Sequence, residues 1–166
     1  MFKKILYPTD FSDSARAALA YVKKLHEAGA TQVVLLHVYD SRLIDLRWEI
    51  EAEYGKKSVM QAKEDVVKKL LDASYKRLQG LEAELKDAGF ATELIVVEGI
   101  PYREVTQTAS EEDVSLIVMG SHGEHGVVER IIGSTTERVL REASVPVLVV
   151  HPTDKKESKL GEGERK

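Results

Sequence analysis

The stretch Leu116-Ile117-Val118-Met119-Gly120-Ser121-His122-Gly123-Glu124-His125-Gly126, followed by Ile131-Ile132-Gly133-Ser134-Thr135, decides the reading of this chain. Four apolar residues of strand length run straight into glycines, and a hydroxyl-bearing helix start comes after them. Gly120 and Gly123 permit backbone conformations closed to other residues and let a ligand approach the main chain. At Gly133-Ser134-Thr135 the free N–H groups of a helix start, and its dipole, favour an anion. The hydroxyls of Ser134 and Thr135 add hydrogen bonds to phosphate oxygens. Two such pieces on one loop would close around a polyphosphate. A plainer account also exists: glycines end strands, and Ser134 caps a helix with Glu137 completing a capping box. The two roles are compatible, because a cap hydroxyl has more than one hydrogen-bonding site.

Outward from this loop, apolar runs alternate with helical patterns. Ile5-Leu6-Tyr7 is a strand stopped by Pro8. Ser12, Asp13 and Ser14 offer N-caps. Ala15, Ala18, Leu19, Val22 and Leu25 then recur at helical spacing, and Gly29 is read as the C′ residue. Val33-Val34-Leu35-Leu36-His37-Val38 is apolar almost throughout, as strands covered on both faces are. A polar, poorly patterned stretch covers 40–57. The spacing predicts a long helix over 58–88, with Val66, Val67, Leu70, Leu71, Leu78, Leu81 and Leu85 as its buried stripe and Gly89 as its stop. Glu93-Leu94-Ile95-Val96-Val97 is the third strand. Pro101 suits the first turn of the next helix, which reaches about Glu112. The last strand is Val147-Leu148-Val149-Val150. This alternation predicts an α/β fold with a parallel sheet and helices on both faces. The expected domain covers 1–152, with a charged, solvated tail over 153–166.

Composition narrows the function. The 166 residues suffice for one domain with its own core. With no cysteine, disulfides, thiolate zinc sites and a cysteine nucleophile are excluded. A formal net charge of −4, with no dense run of Lys and Arg, argues against a nucleic-acid partner. No apolar run is long enough to span a bilayer, and Met1 to Leu6 lacks the apolar core of a signal peptide. The expectation is a cytoplasmic protein with no membrane partner.

In open parallel sheets, ligands bind beyond the carboxyl ends of the strands, where strand order reverses. Pro8-Thr9-Asp10-Phe11-Ser12, Tyr39-Asp40, Glu98-Gly99 and the glycine-rich loop all fall there. Asp10 reads as a ligand for a ribose hydroxyl or as a cap for its own turn. No G-x-x-x-x-G-K followed by Ser or Thr occurs, and no G-x-G-x-x-G follows the first strand. His122 and His125, with Glu124 and Glu129 nearby, match no common zinc spacing. No metal held by side chains is expected; magnesium held by the phosphates is the more natural arrangement. Asp10, Ser134 and His122 resemble a triad in composition only, because Ser134 lacks a G-x-S-x-G elbow. No catalytic residue is assigned, and Arg130 is the best cation within the loop. His37 and His26 read as structural. Trp48 and Arg47 are weak candidates for a partner surface.

Gly120-x2-Gly123-x9-Gly133-Ser134 resembles the motif of ATP-binding universal stress proteins, G-x2-G-x9-G followed by Ser or Thr. The strand ending Pro8-Thr9-Asp10, with Ser12 after it, is similar to that family's first strand and acidic residue. Ser144-Val145-Pro146-Val147-Leu148-Val149-Val150 is similar to its final strand. The resemblance covers roughly 1–151. It implies a Rossmann-like sheet of five parallel strands ordered 3-2-1-4-5, with an adenine nucleotide, ATP or AMP, between strands one and four. It places Pro8, Thr9, Asp10 and Val38 by the adenine and ribose, and Met119 and Gly120 along the same cleft. His122, Gly123, Gly133, Ser134 and Thr135 would meet the phosphates. It also implies a homodimer through Val147, Leu148, Val149 and Val150, an apolar edge of the kind that invites pairing. The function expected is a nucleotide-binding stress-response regulator or switch. The alternatives are a slow ATP hydrolase or phosphotransferase using the same loop, and a purely structural dimerisation domain.

Overall fold

The computed structural model describes residues 2–40, 42, 58–122 and 132–152, with 58–66 described by backbone alone. Its elements are β1 (Lys4–Pro8), α1 (Asp13–Leu25), β2 (Gln32–Asp40), α2 (Ser58–Asp87) and β3 (Ala91–Gly99). They continue with α3 (Pro101–Glu111), β4 (Leu116–Gly120), α4 (Ser134–Glu142) and β5 (Val147–Val150). The five strands are all parallel and lie in the order β3-β2-β1-β4-β5. The fold class and strand order are those expected.

Alternation along each strand builds two cores. Ile5, Tyr7, Val33 and Leu35 face α1 and α2, where they meet Ala18, Leu19, Leu78 and Leu85. Leu6, Val34, Leu36 and Met119 face α3 and α4, where they meet Val105, Ala109 and Val139. Both faces are covered, so the strands read as continuous apolar runs.

Several local features differ from the sequence reading. Of the three N-cap candidates, Ser12 is the cap, and its hydroxyl accepts from the Ala15 amide at 3.2 Å. Helix α1 ends at Leu25, with His26 as cap. Beyond it Gly29, with φ of +93°, takes the C′ role expected of it: the Ala30 amide donates to the Leu25 carbonyl at 3.0 Å and the Gly29 amide to the His26 carbonyl at 2.9 Å, a Schellman closure. Strand β2 continues through Tyr39 and Asp40 because β3 pairs with it that far. In α2, Leu78, Leu81 and Leu85 are buried, but Leu70 is 41% exposed. The reason is length: thirty helical residues span about 45 Å and nine strand residues about 30 Å, so the helix overhangs its sheet. Val67 and Leu71 are half-buried, and the Val66 side chain lies outside the described set. The capping box is absent. Gly133 holds the N-cap position of α4, Ser134 is its first helical residue, and no side-chain cap bond forms.

Tyr7 is fully buried, and its hydroxyl donates to the Ala15 carbonyl at 2.7 Å. Burial pushes its pKa up to about 12 from 10.0. The unfolded chain therefore releases this proton first, and stability present below pH ~10 falls as pH rises toward 12. Tyr7→Phe is expected to cost about 0.5–1.5 kcal/mol at neutral pH. It should also flatten the alkaline decline in urea-unfolding free energy. An unchanged decline in the variant would assign that loss to other groups.

Candidate nucleotide site at the carboxyl edge of the sheet

Strands β1 and β4 are neighbours whose following helices leave toward opposite faces, α1 to one and α4 to the other. Between them the sheet has its topological switch point. Pro8 ends β1, and Thr9 continues the ladder through its amide to the Leu36 carbonyl at 2.8 Å. The next residues make a tight turn. The Phe11 amide donates to Thr9 Oγ1 at 3.0 Å, and the Ser12 amide to Asp10 Oδ1 at 3.0 Å. Phe11 takes a left-handed φ of +65°. Asp10 is exposed and does cap its turn, with one of its oxygens so engaged. Thr9 is buried, its hydroxyl is committed to the turn, and its carbonyl lies 2.8 Å from His37 Nδ1.

Val38 lies in β2, half-buried against the α3–α4 core. Asp40, at the end of the strand, takes hydrogen bonds from Arg42 at 2.8 and 2.5 Å, which hold its carboxyl below the usual range. Met119 is buried in the core, and only its backbone reaches the edge.

Gly120 answers to a protein contact. A Cβ placed there would overlap Ser14 Oγ and come within 2.7 Å of the Ser14 carbonyl carbon and 2.8 Å of the Ala15 nitrogen. What approaches this glycine is thus the first turn of α1, where the sequence suggested a ligand. The following residue, Ser121, is fully buried. Its amide donates to the Val150 carbonyl at 2.9 Å, and its own carbonyl accepts from the Gly133 amide at 2.8 Å. Its hydroxyl lies 2.9 Å from His122 Nδ1. The His122 amide reaches Ser14 Oγ at 3.4 Å, and the Thr136 hydroxyl donates to the Gly120 carbonyl at 3.1 Å.

These bonds fix the start of α4 beside the end of β4. Its first intrahelical bond runs from the Glu137 amide to the Gly133 carbonyl. The amides of Ser134, Thr135 and Thr136 precede that bond, and Gly133 offers them no side chain. Ser134 is exposed and Thr135 half-buried at this tip. Donors of this kind, at the positive end of a helix, are suited to an anion.

Pro8, Thr9, Asp10, Val38, Met119, Gly120, His122, Gly133, Ser134 and Thr135 thus all fall at the carboxyl ends of β1, β2 and β4 or at the start of α4. Gly123, His125, Glu124, Glu129 and Arg130 lie outside the described residues, as do Arg47 and Trp48. Ser14 and Ser121 were missed. Ser14 read only as a cap candidate, and Ser121 was given no role. Among the described residues no group of three His, Asp or Glu is placed to hold a metal. No described helix is long and apolar enough to cross a membrane.

An open parallel sheet with helices on both faces and a topological switch point between β1 and β4 defines a Rossmann-like α/β protein. The chain belongs to the universal stress protein family, whose model matches residues 1–151. A universal stress protein of Methanocaldococcus jannaschii is 41% identical over 154 residues, covering 90% of this chain and 95% of that protein. Its solved structure superposes with a TM-score of 0.78 and covers 90% of this chain and 96% of that one. Two more distant structures share the fold. One is a universal stress protein in complex with cAMP, at 21% identity and TM-score 0.61, covering 92% of this chain and 98% of that one. The other is an Arabidopsis thaliana family protein with AMP bound, at 16% identity and TM-score 0.58, covering 93% and 94%.

Gly120→Ala is expected to destabilise the chain by about 1–3 kcal/mol, because the added carbon meets backbone that cannot turn aside. Urea unfolding measures this. Equal stability in parent and variant would show that α1 is free to move away.

Proposed function

We propose that the chain binds an adenine nucleotide, ATP or AMP, at the switch point between β1 and β4 and acts as a stress-response regulator or switch. The observation that carries this reading is the glycine-capped start of α4, whose first amides have no side-chain cap. Distant proteins of the same fold hold AMP and cAMP. The α- and β-phosphates are assigned to the amides and hydroxyls of Ser134 and Thr135, with Gly133, His122 and Gly123 alongside. Magnesium would be held by the phosphates. Asp10 keeps one carboxylate oxygen in its turn and offers the other to the ribose. The backbone of Pro8, Thr9, Val38, Met119 and Gly120 borders the base.

The homodimer is proposed through β5, an edge strand with partly exposed Val147, Leu148 and Val149. A sedimentation mass of one chain at working concentration would count against it.

Hydrolysis is the weaker reading. Ser121 has a histidine beside it but is fully buried, and Ser134 has no histidine partner among the described residues. Calorimetric titration with ATP and with AMP tests binding, and overnight incubation with ATP and magnesium tests turnover. Gly133→Val, which would press side-chain carbon toward the His122 backbone 3.2 Å from its Cβ, is expected to abolish binding while the fold persists. Asp10→Ala should weaken binding by about 1–3 kcal/mol. Full ATP affinity in a folded Gly133→Val protein would dismiss this assignment of the loop.

A further inference from the structure

A cavity of about 310 Å³ lies on the opposite face, between α1 and α2, lined by Tyr7, Phe11, Arg16, Arg77, Gly80 and Glu84 with Thr9 and Leu81. This is near the lower end of the size of small-molecule pockets. Its lining combines apolar residues, Phe11 and Leu81, with charged ones, Arg16, Arg77 and Glu84.

The charges are unevenly matched. Glu84 is fully committed: one oxygen pairs with Arg16 Nη1 at 2.6 Å and the other with Lys23 Nζ at 2.6 Å. Arg77 lies with its guanidinium carbon 3.9 Å from the centroid of the Phe11 ring. Among the described residues no carboxylate pairs with it. A guanidinium packed over a ring keeps its N–H edge available for a planar, two-oxygen acceptor.

Gly80 supplies an independent observation. Glycine is a poor residue for a helix interior, and Gly80 sits well inside α2. Yet among the described residues nothing outside its own stretch of helix backbone lies within 4 Å of where its Cβ would be. Among the described residues nothing in the packing explains the missing side chain. It is three residues beyond Arg77 and four before Glu84, hence on the same helix face. Its effect is to hold that wall of the cavity open.

Phe11 owes its place to the left-handed turn after β1, which brings its ring to the cavity wall. Its other neighbour is His37, with ring centroids 4.7 Å apart. A ligand that completes this set has a flat apolar body to lie against Phe11 and Leu81, and a carboxylate to meet Arg77.

We propose that the cavity between α1 and α2 is a second ligand site, bordering the nucleotide site at Thr9, for a small aromatic carboxylate held by Arg77. Its anchor is independent of the proposed phosphate end of the nucleotide site, because α4 packs on the other face of the sheet.

The test is a protein-detected NMR titration with naphthoate and, as neutral control, naphthylmethanol. Saturable naphthoate binding is expected, with amide shifts centred on Phe11, Arg77 and Gly80. Arg77→Gln should weaken naphthoate by about tenfold or more, as losing a charge-assisted hydrogen bond does, and leave naphthylmethanol unchanged. Gly80→Leu should abolish binding of both, with strand amide signals as the check on fold. The proposal falls if naphthoate does not saturate, if its shifts centre on Ser134 and Thr135, or if Arg77→Gln binds naphthoate as the parent does. Unimpaired binding by a folded Gly80→Leu protein would also overturn it. Should Gly80→Leu unfold, Arg77→Gln alone decides.

Discussion

The carboxyl edge of this molecule is organised by a contact too close for a β-carbon. The first turn of α1 lies against Gly120, so the end of β4 and the start of α1 are held as one piece. Ser121, directly after it, is sealed from solvent and ties that piece to β5 through Val150 and to α4 through Gly133. Thr136 returns a hydroxyl to the Gly120 carbonyl. Four elements thus meet at two residues. These bonds fix where the first amides of α4 stand relative to the end of β4.

The fold was legible because alternation is a local signal. Each strand run and each helical stripe announces itself over a few residues, and their order alone selects a parallel sheet. Pro101 and Ser12 marked helix starts for reasons confined to one turn. The errors arose where distance mattered. Leu70 carries the right spacing, yet the helix outruns the strands, and spacing says nothing about where a sheet ends. Gly29, by contrast, is the helix stop it looked like, because that signal is confined to the closing turn.

The candidate site was legible in composition and not in role. Gly120 reads as a place for a ligand until Ser14 is seen against it, and His122 and Ser14 are 108 positions apart in sequence. No window contains both. Ser134 reads as a cap by residue type, because serine is among the best caps. One position of shift makes Gly133 the cap instead and frees the serine hydroxyl. A small shift in a helix boundary therefore changes the meaning of three residues at once.

That shift bears on why a glycine occupies the cap. Glycine at this position costs a helix only a few tenths of a kcal/mol relative to serine or asparagine. A side-chain cap would satisfy one of the first amides permanently and place an oxygen where an anion should sit. Like-signed partial charges would then oppose any phosphate that approached. An uncapped start carries the opposite consequence: the amides remain solvated and polarised, and their free energy improves when an anion replaces water. The β4 end supplies the rigidity, and the missing side chain supplies the vacancy. A helix built this way is slightly weaker alone and stronger when an anion is held. An anion held at this edge would therefore also stabilise α4 and, through Ser121, the strand at the sheet's border.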